Sequence, residues 1–188
     1  VHVAEYVYER FIEGDMEAVS VLVEAYRNEL YNFCFRLTFN THDAEDLFQQ
    51  TWIKAVRGAP RYRHGDFRPW LYRICVNQYR DNWRKMQNRK KHVAEAFPTT
   101  SAKDYVLEST GGESAEETFE KRHIQSLLVA NIDRLPEKQK VPVVMYFYQR
   151  MKLAEIAAAL CVPEGTVKSR IAAAKKKLKE QLGSELYV

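Results

Sequence analysis

From Val19 to Leu37 the apolar side chains fall at Val19, Leu22, Val23, Tyr26, Leu30, Phe33, Cys34 and Leu37. Steps of three and four place them on one face of a helix, whereas a strand would scatter them over both faces. Similar spacing recurs along the chain. No run alternates apolar and polar residues over a useful strand length, and no internal repeat of roughly 20–50 residues is evident. The expected class is all-α.

A second helix is expected to start at Asp43, a cap residue followed three positions on by Asp46, and to run through AEDLFQQTWIKAVR to the neighbourhood of Gly58 and Pro60. Ala44, Leu47, Phe48, Thr51 and Ala55 share its apolar side. Residues 59–66 read as a loop from their Pro, Gly and polar content. A third helix is expected from about Phe67 towards Trp83, with Pro69 tolerated in its first turn and Trp70, Leu71 and Ile74 serving the core. Three or four helices thus make an N-terminal domain over residues 1–92. Periodicity is lost over 93–113, where Pro98, Gly111 and Gly112 mark a flexible linker. Ser114 and Glu117 form a capping box opening a second domain over 114–188, with Phe119, Leu127, Leu128 and Ile132 inward. Leu135-Pro136 starts another helix. Pro142 within it removes a backbone donor and predicts a kink or break.

Several chemistries lack their residues. None of the seven glycines forms a GxGxxG or GxxxxGK phosphate cradle. The three cysteines are widely spaced, with no CxxC or HExxH, so no metal and no cofactor is expected. Apolar runs stop well short of the roughly 20 residues of a membrane span, and no basic-then-apolar leader is visible. The expectation is a soluble cytoplasmic protein with no membrane insertion.

The net charge of +4 conceals a pattern. Residues 1–56 carry −6, 57–91 carry +9, 92–120 carry −6 and 121–188 carry +7. Two basic blocks separated by an acidic one suggest two polyanion-binding surfaces. Within the second block, LAEIAAALCVPEGTVKSRIAAAKKKLKEQL reads as a helix-turn-helix. Leu153 to Leu160 would form the first helix, with Ile156, Ala157 and Leu160 inward, and Cys161-Val162-Pro163 the turn. Val167, Ile171, Ala174 and Leu178 would anchor the second helix. That leaves Thr166, Lys168, Ser169 and Arg170 where a recognition helix meets base edges in the major groove. Gly165 permits close backbone approach, and Lys175-Lys176-Lys177 adds sequence-independent attraction to phosphate. In the first basic block Arg73, Asn77, Arg80 and Arg84 line one stripe of the third helix, suited to phosphates and one base. The adjoining loop brings Arg61, Tyr62, Arg63 and His64, which could stack on and enclose an unpaired base.

The order AEDLFQQTWIKAV, FRPWLYRICVN, a variable linker, LPEKQK, EIAAAL and GTVKSR resembles the extracytoplasmic-function (ECF) sigma factors of bacterial RNA polymerase along nearly the whole chain. That resemblance implies an initiation subunit, not an enzyme, that binds core polymerase. It implies a first domain that reads the minus-ten element as an unpaired non-template strand. It implies a second that reads the minus-thirty-five element as duplex. It places polymerase docking on Asp46, Gln49 and Gln50, where many relatives carry Glu at the position of Gln50. It places the minus-ten surface on Asn77 and the Pro60–Asp66 loop, with Arg73, Arg80 and Arg84 on the backbone. It places the major-groove helix on Thr166, Lys168, Ser169 and Arg170; Ala172 to Ala174 stand where relatives often carry Arg, so DNA shape would contribute more to reading. An anti-sigma protein is an implied partner. Apart from the resemblance, the residues also admit a helix-turn-helix regulator with an N-terminal dimerisation or sensing domain. A metal-dependent nuclease would need clustered carboxylates, and Asp43, Glu45 and Asp46 at a helix start are already explained by capping and the helix dipole.

Overall fold

A computed structural model describes residues 3–62, 66–92 and 125–186, and all the regular structure in these residues is helical. The linker at 93–113, the capping box at Ser114 and Glu117, and Phe119 lie outside them. Helix α1 spans Glu5–Ile12 and buries Val7 and Phe11. Eight residues gave too short a period to read from sequence. Gly14, at φ +86°, turns the chain in a conformation that costs other residues more. Asp15 then caps α2 (Met16–Thr38) by accepting from the Glu17 N–H at 2.8 Å. The same carboxylate holds Arg10 of α1 at 2.6 Å. The backbone N–H of Glu17 and the Arg10 guanidinium keep the Asp15 carboxyl below its ordinary pKa.

The expected face of α2 is buried, Val23 only partly, and Ala18 joins it. Phe39 closes α2 in the left-handed region at φ 49°. Helix α3 (Thr41–Gly58) starts earlier than expected: Asn40 is the cap, and its side chain accepts from the Asp43 N–H at 3.0 Å. Asp43 therefore sits in the first turn, where its charge still favours the helix N-terminus. Ala44, Leu47, Thr51 and Ala55 are buried with Trp52, which the sequence had not singled out, while Phe48 is half-buried. A 3₁₀ turn over Ala59–Arg61 replaces the start of the expected loop.

Helix α4 spans Phe67–His92 and packs on α3 and α2. Phe67, Leu71, Tyr72, Cys75 and Val76 are buried, with Trp70 and Ile74 at the margin. Rings from α1, α4 and the end of the 3₁₀ turn meet here: Phe11 and Phe67 stack edge to face at 5.6 Å, and Tyr62 and Trp70 lie 5.0 Å apart. Cys34 and Cys75, 41 positions apart, place their sulfurs 3.6 Å from each other as free buried thiols. Burial pushes the Cys34 thiol far above its ordinary pKa, which keeps it protonated and inert.

The second set contains α5 (125–133), α6 (Glu137–Val143), a π-helical segment (Val144–Tyr148), α7 (Leu153–Leu160) and α8 (Glu164–Leu186). Pro142 lies inside α6, and the α-helical pattern gives way to π one residue after Val143. The missing proline donor accounts for the break. Glu155 accepts from the Lys152 N–H at 2.6 Å at the start of α7. Cys161, at φ 53°, ends α7, and the Val162 N–H reaches back to the Ala157 carbonyl at 3.1 Å. This is the tight turn expected between the paired helices. α4 packs against α7, and α2 against the π segment, so the two helical sets touch.

Candidate nucleic-acid interface

Burial on one side decides what the other side of α8 offers. Val167 and Ala174 are fully buried and Ile171 is 7% exposed, so the helix cannot rotate about its axis. Lys168 and Ser169 consequently face solvent, with Thr166 and Arg170 half-exposed. The Ser169 hydroxyl donates to the Thr166 carbonyl at 3.0 Å. An added Cβ at Gly165 would meet nothing within 4 Å. Nothing inside the fold therefore requires glycine at that position. Ala172 and Ala173 are exposed and small, and Lys175 and Lys176 continue the cationic side. Lys175 also lies over the Phe147 ring at 5.8 Å.

On α4 the expected stripe is present but unequal. Asn77 is exposed. Arg84 is exposed beside Asp81, 3.8 Å away. Arg73 touches the Cys161 sulfur of the helix-turn-helix, and Arg80 donates to Glu137 of α6 at 2.7 Å. Arg61 is exposed at the end of the 3₁₀ turn, whereas Arg63 and His64 lie outside the described residues. Tyr62 departs from the expectation of a base-stacking loop residue. Its ring is only 5% exposed and belongs to the aromatic core. Aromatic partners in the first turn of α4, Phe67 and Trp70, draw it inward.

Asp46, Gln49 and Gln50 share the exposed side of α3, with His42 3.9 Å from Asp46. Gln50 accepts a hydrogen bond from Gln78, a buried amide that also donates to Asn82 at 2.8 Å. Gln78 ties α3 to α4 directly beside Asn77, and sequence reading missed it. Its place one full helical repeat after Leu71, on the buried side, was the available signal. A groove of about 450 Å³ runs along this seam, lined by Gln50, Lys54, Gln78, Asp81, Arg84 and Lys85. Ile53, half-exposed on α3, and Trp83 and Met86 on α4 add apolar surface nearby in sequence.

The description "Sigma-70 region 2" matches residues 22–90, and "Sigma-70, region 4" matches residues 127–178. The ECF RNA polymerase sigma factor SigW of Bacillus subtilis is 30% identical over 171 residues, covering 90% of this chain and 91% of that protein. The chain belongs to the ECF sigma factor family. Its work is that of the family: it binds core RNA polymerase and promoter DNA, and it is not an enzyme. Another ECF sigma factor, SigE of Mycolicibacterium smegmatis, is 33% identical over 172 residues, covering 90% of this chain and 64% of that one. In fold, this sigma factor is similar to RpoE of Bartonella quintana, solved in complex with the anti-sigma factor NepR. That match has a TM-score of 0.70 at 20% identity and covers 87% of this chain and 96% of that one. No helix among the described residues is long and apolar enough to cross a membrane.

Proposed function

We propose that this sigma factor reads the minus-ten element through Asn77 and the loop residues Arg61, Arg63 and His64, with Arg73, Arg80 and Arg84 on the strand backbone, and the minus-thirty-five element through Thr166, Lys168, Ser169 and Arg170. Core polymerase docks on Asp46, Gln49 and Gln50. The functional units are residues 1–92 and 114–188, joined by an acidic linker, and the protein works in the cytoplasm. Tyr62 belongs to the aromatic core rather than to a stacking surface.

The observation that carries this reading is the orientation of α8. Its apolar side is anchored by Val167 and Ala174, and its opposite side presents Lys168 beside Gly165, a glycine the fold itself does not need. A backbone approached closely by an external groove explains both. The alanines after Arg170 leave few long side chains to reach bases, so reading there leans on DNA shape. An anti-sigma protein is the partner proposed for control; RpoE, similar in fold, was solved with one.

The test replaces Lys168 and Arg170 together by Ala and compares transcription from promoters with intact and scrambled minus-thirty-five elements. The reading predicts that the variant loses the difference between the two templates, at about 1–3 kcal/mol per lost base contact. An undiminished preference for the intact element would refute it.

A further inference from the structure

Leu71, Cys75 and Gln78 follow one another at i, i+4 and i+7 on the buried side of α4, and the third of them is an amide. Leu or Met would fill the same space with no hydrogen-bond requirement, whereas a buried amide costs free energy unless it is partnered. Gln78 is partnered on two sides. Its Nε2 donates to Asn82 Oδ1, one turn on in α4, at 2.8 Å, and to Oε1 of Gln50 on α3. Along the same groove Lys54 of α3 reaches Asp81 at 3.5 Å, but both are about half-exposed, so water and salt weaken that tie. The amide tie is the one shielded from both.

The two ends of this tie stand on the two surfaces assigned to polymerase and to DNA. Gln50 shares the exposed side of α3 with Asp46 and Gln49, and Asn77 is the exposed neighbour of Gln78 on α4. Adjacent positions of an α-helix lie about 100° apart around its axis. Holding Gln78 on the inner side therefore sets the direction in which Asn77 points.

We propose that Gln78 is a positioning residue that relays polymerase docking on Gln50 to strand reading by Asn77. This rests on the assignment of Gln50 to polymerase and of Asn77 to the unpaired strand. On the free chain the exposed Gln50 amide exchanges Gln78 for water whenever it swings outward. Polymerase seated on Gln50 removes that freedom, so Gln78 keeps one fixed acceptor and α4 one setting. The relay is reciprocal: a strand held at Asn77 tightens docking by the same factor. One net hydrogen bond supplies roughly 3- to 10-fold.

The experiment measures open-complex formation by the full chain on one fixed promoter, at saturating core polymerase and well below each variant's melting temperature. Gln78→Met keeps the volume and removes the donors, and is expected to open DNA roughly 3- to 10-fold less. Gln78→Glu is expected to restore most of that loss, because the Gln50 and Asn82 amides can turn over and donate to the carboxylate. Added to Gln50→Met, Gln78→Met is expected to change nothing further, since the relay is already cut. A residue that only held the fold would move the melting temperature and none of these three readouts. A folded Gln78→Met that opens DNA like the parent would overturn the relay. So would an equal loss with and without Gln50→Met, or a Gln78→Glu variant no better than Gln78→Met. If Gln78→Met does not fold, Gln50→Met decides: saturated with polymerase it must open DNA poorly, and opening like the parent overturns the relay. Two controls separate this idea from the reading beneath it. Asn77→Ala opening DNA like the parent, or Gln50→Met binding core polymerase like the parent, would put the fault in those assignments. With both controls behaving as assigned, failure falls on the relay alone.

Discussion

Asn77 and Gln78 are adjacent in sequence but face different tasks, and replacing each by Ala separates reading DNA from holding the fold. Asn77 is exposed with no packing role. Its replacement is expected to leave stability within about 0.5 kcal/mol, with any shift upward because Ala favours a helix. A lost base contact should cost about 1–3 kcal/mol at the strand-opening step, roughly 5- to 150-fold in open-complex formation. Gln78 is 4% exposed, and its amide donates to both Gln50 and Asn82. Removing it deletes two hydrogen bonds whose acceptors can partly regain water, at a cost of about 1–2 kcal/mol. For a cooperative unit of this size that lowers the melting temperature by roughly 2–8 °C. The assays are thermal melting, equilibrium binding to core polymerase, and open-complex formation on a fixed promoter. The expected pattern is that Asn77→Ala melts and binds polymerase like the parent yet opens DNA poorly, whereas Gln78→Ala melts early. If Asn77→Ala lowers the melting temperature as far as Gln78→Ala, or weakens polymerase binding as much as strand opening, the assignment of Asn77 to the DNA surface is refuted.

Two further outcomes are expected. Gly165→Ala should stabilise the fold by about 0.5 kcal/mol, because the new methyl meets nothing and helix propensity rises, while minus-thirty-five-dependent transcription falls; melting and run-off assays check the two signs, and unchanged promoter use would contradict close approach at this point. Burial holds the Tyr26, Tyr72 and Tyr79 phenols well above their ordinary value, so above about pH 10 the unfolded chain releases protons that the folded chain keeps. Stability is fully present below that pH, and the melting temperature should fall between about pH 9 and about pH 11. Lys140, whose pKa burial lowers, gives the opposite slope in the window just below the ordinary lysine value, so a flat or rising melting temperature past pH 10 would show that the phenols are not shielded as described.

Features written locally in the chain were legible from it. The face of α2 follows from apolar spacing, as do the eight-residue span of α7, its turn and the anchored side of α8, with Cys161 and Pro163 marking the break between the last two helices. The misreadings came from competition or from distance. Asp43 has the chemistry of a cap, but Asn40, three residues earlier, adopts the extended backbone a cap requires. Tyr62 looked like a loop aromatic until Phe67 and Trp70 folded back onto it. The arginine stripe was readable as a stripe. That Arg80 meets Glu137, 57 positions on, was not, because no local period encodes a partner so far along the chain.

The most direct measurement is run-off transcription by purified core polymerase on a library of promoter fragments, with and without this chain, mapped at the 5′ ends of the transcripts. The account predicts discrete start sites that appear only when the chain is added, from templates sharing paired upstream elements. Transcripts whose start sites are the same in its presence and absence, on every template, would contradict it.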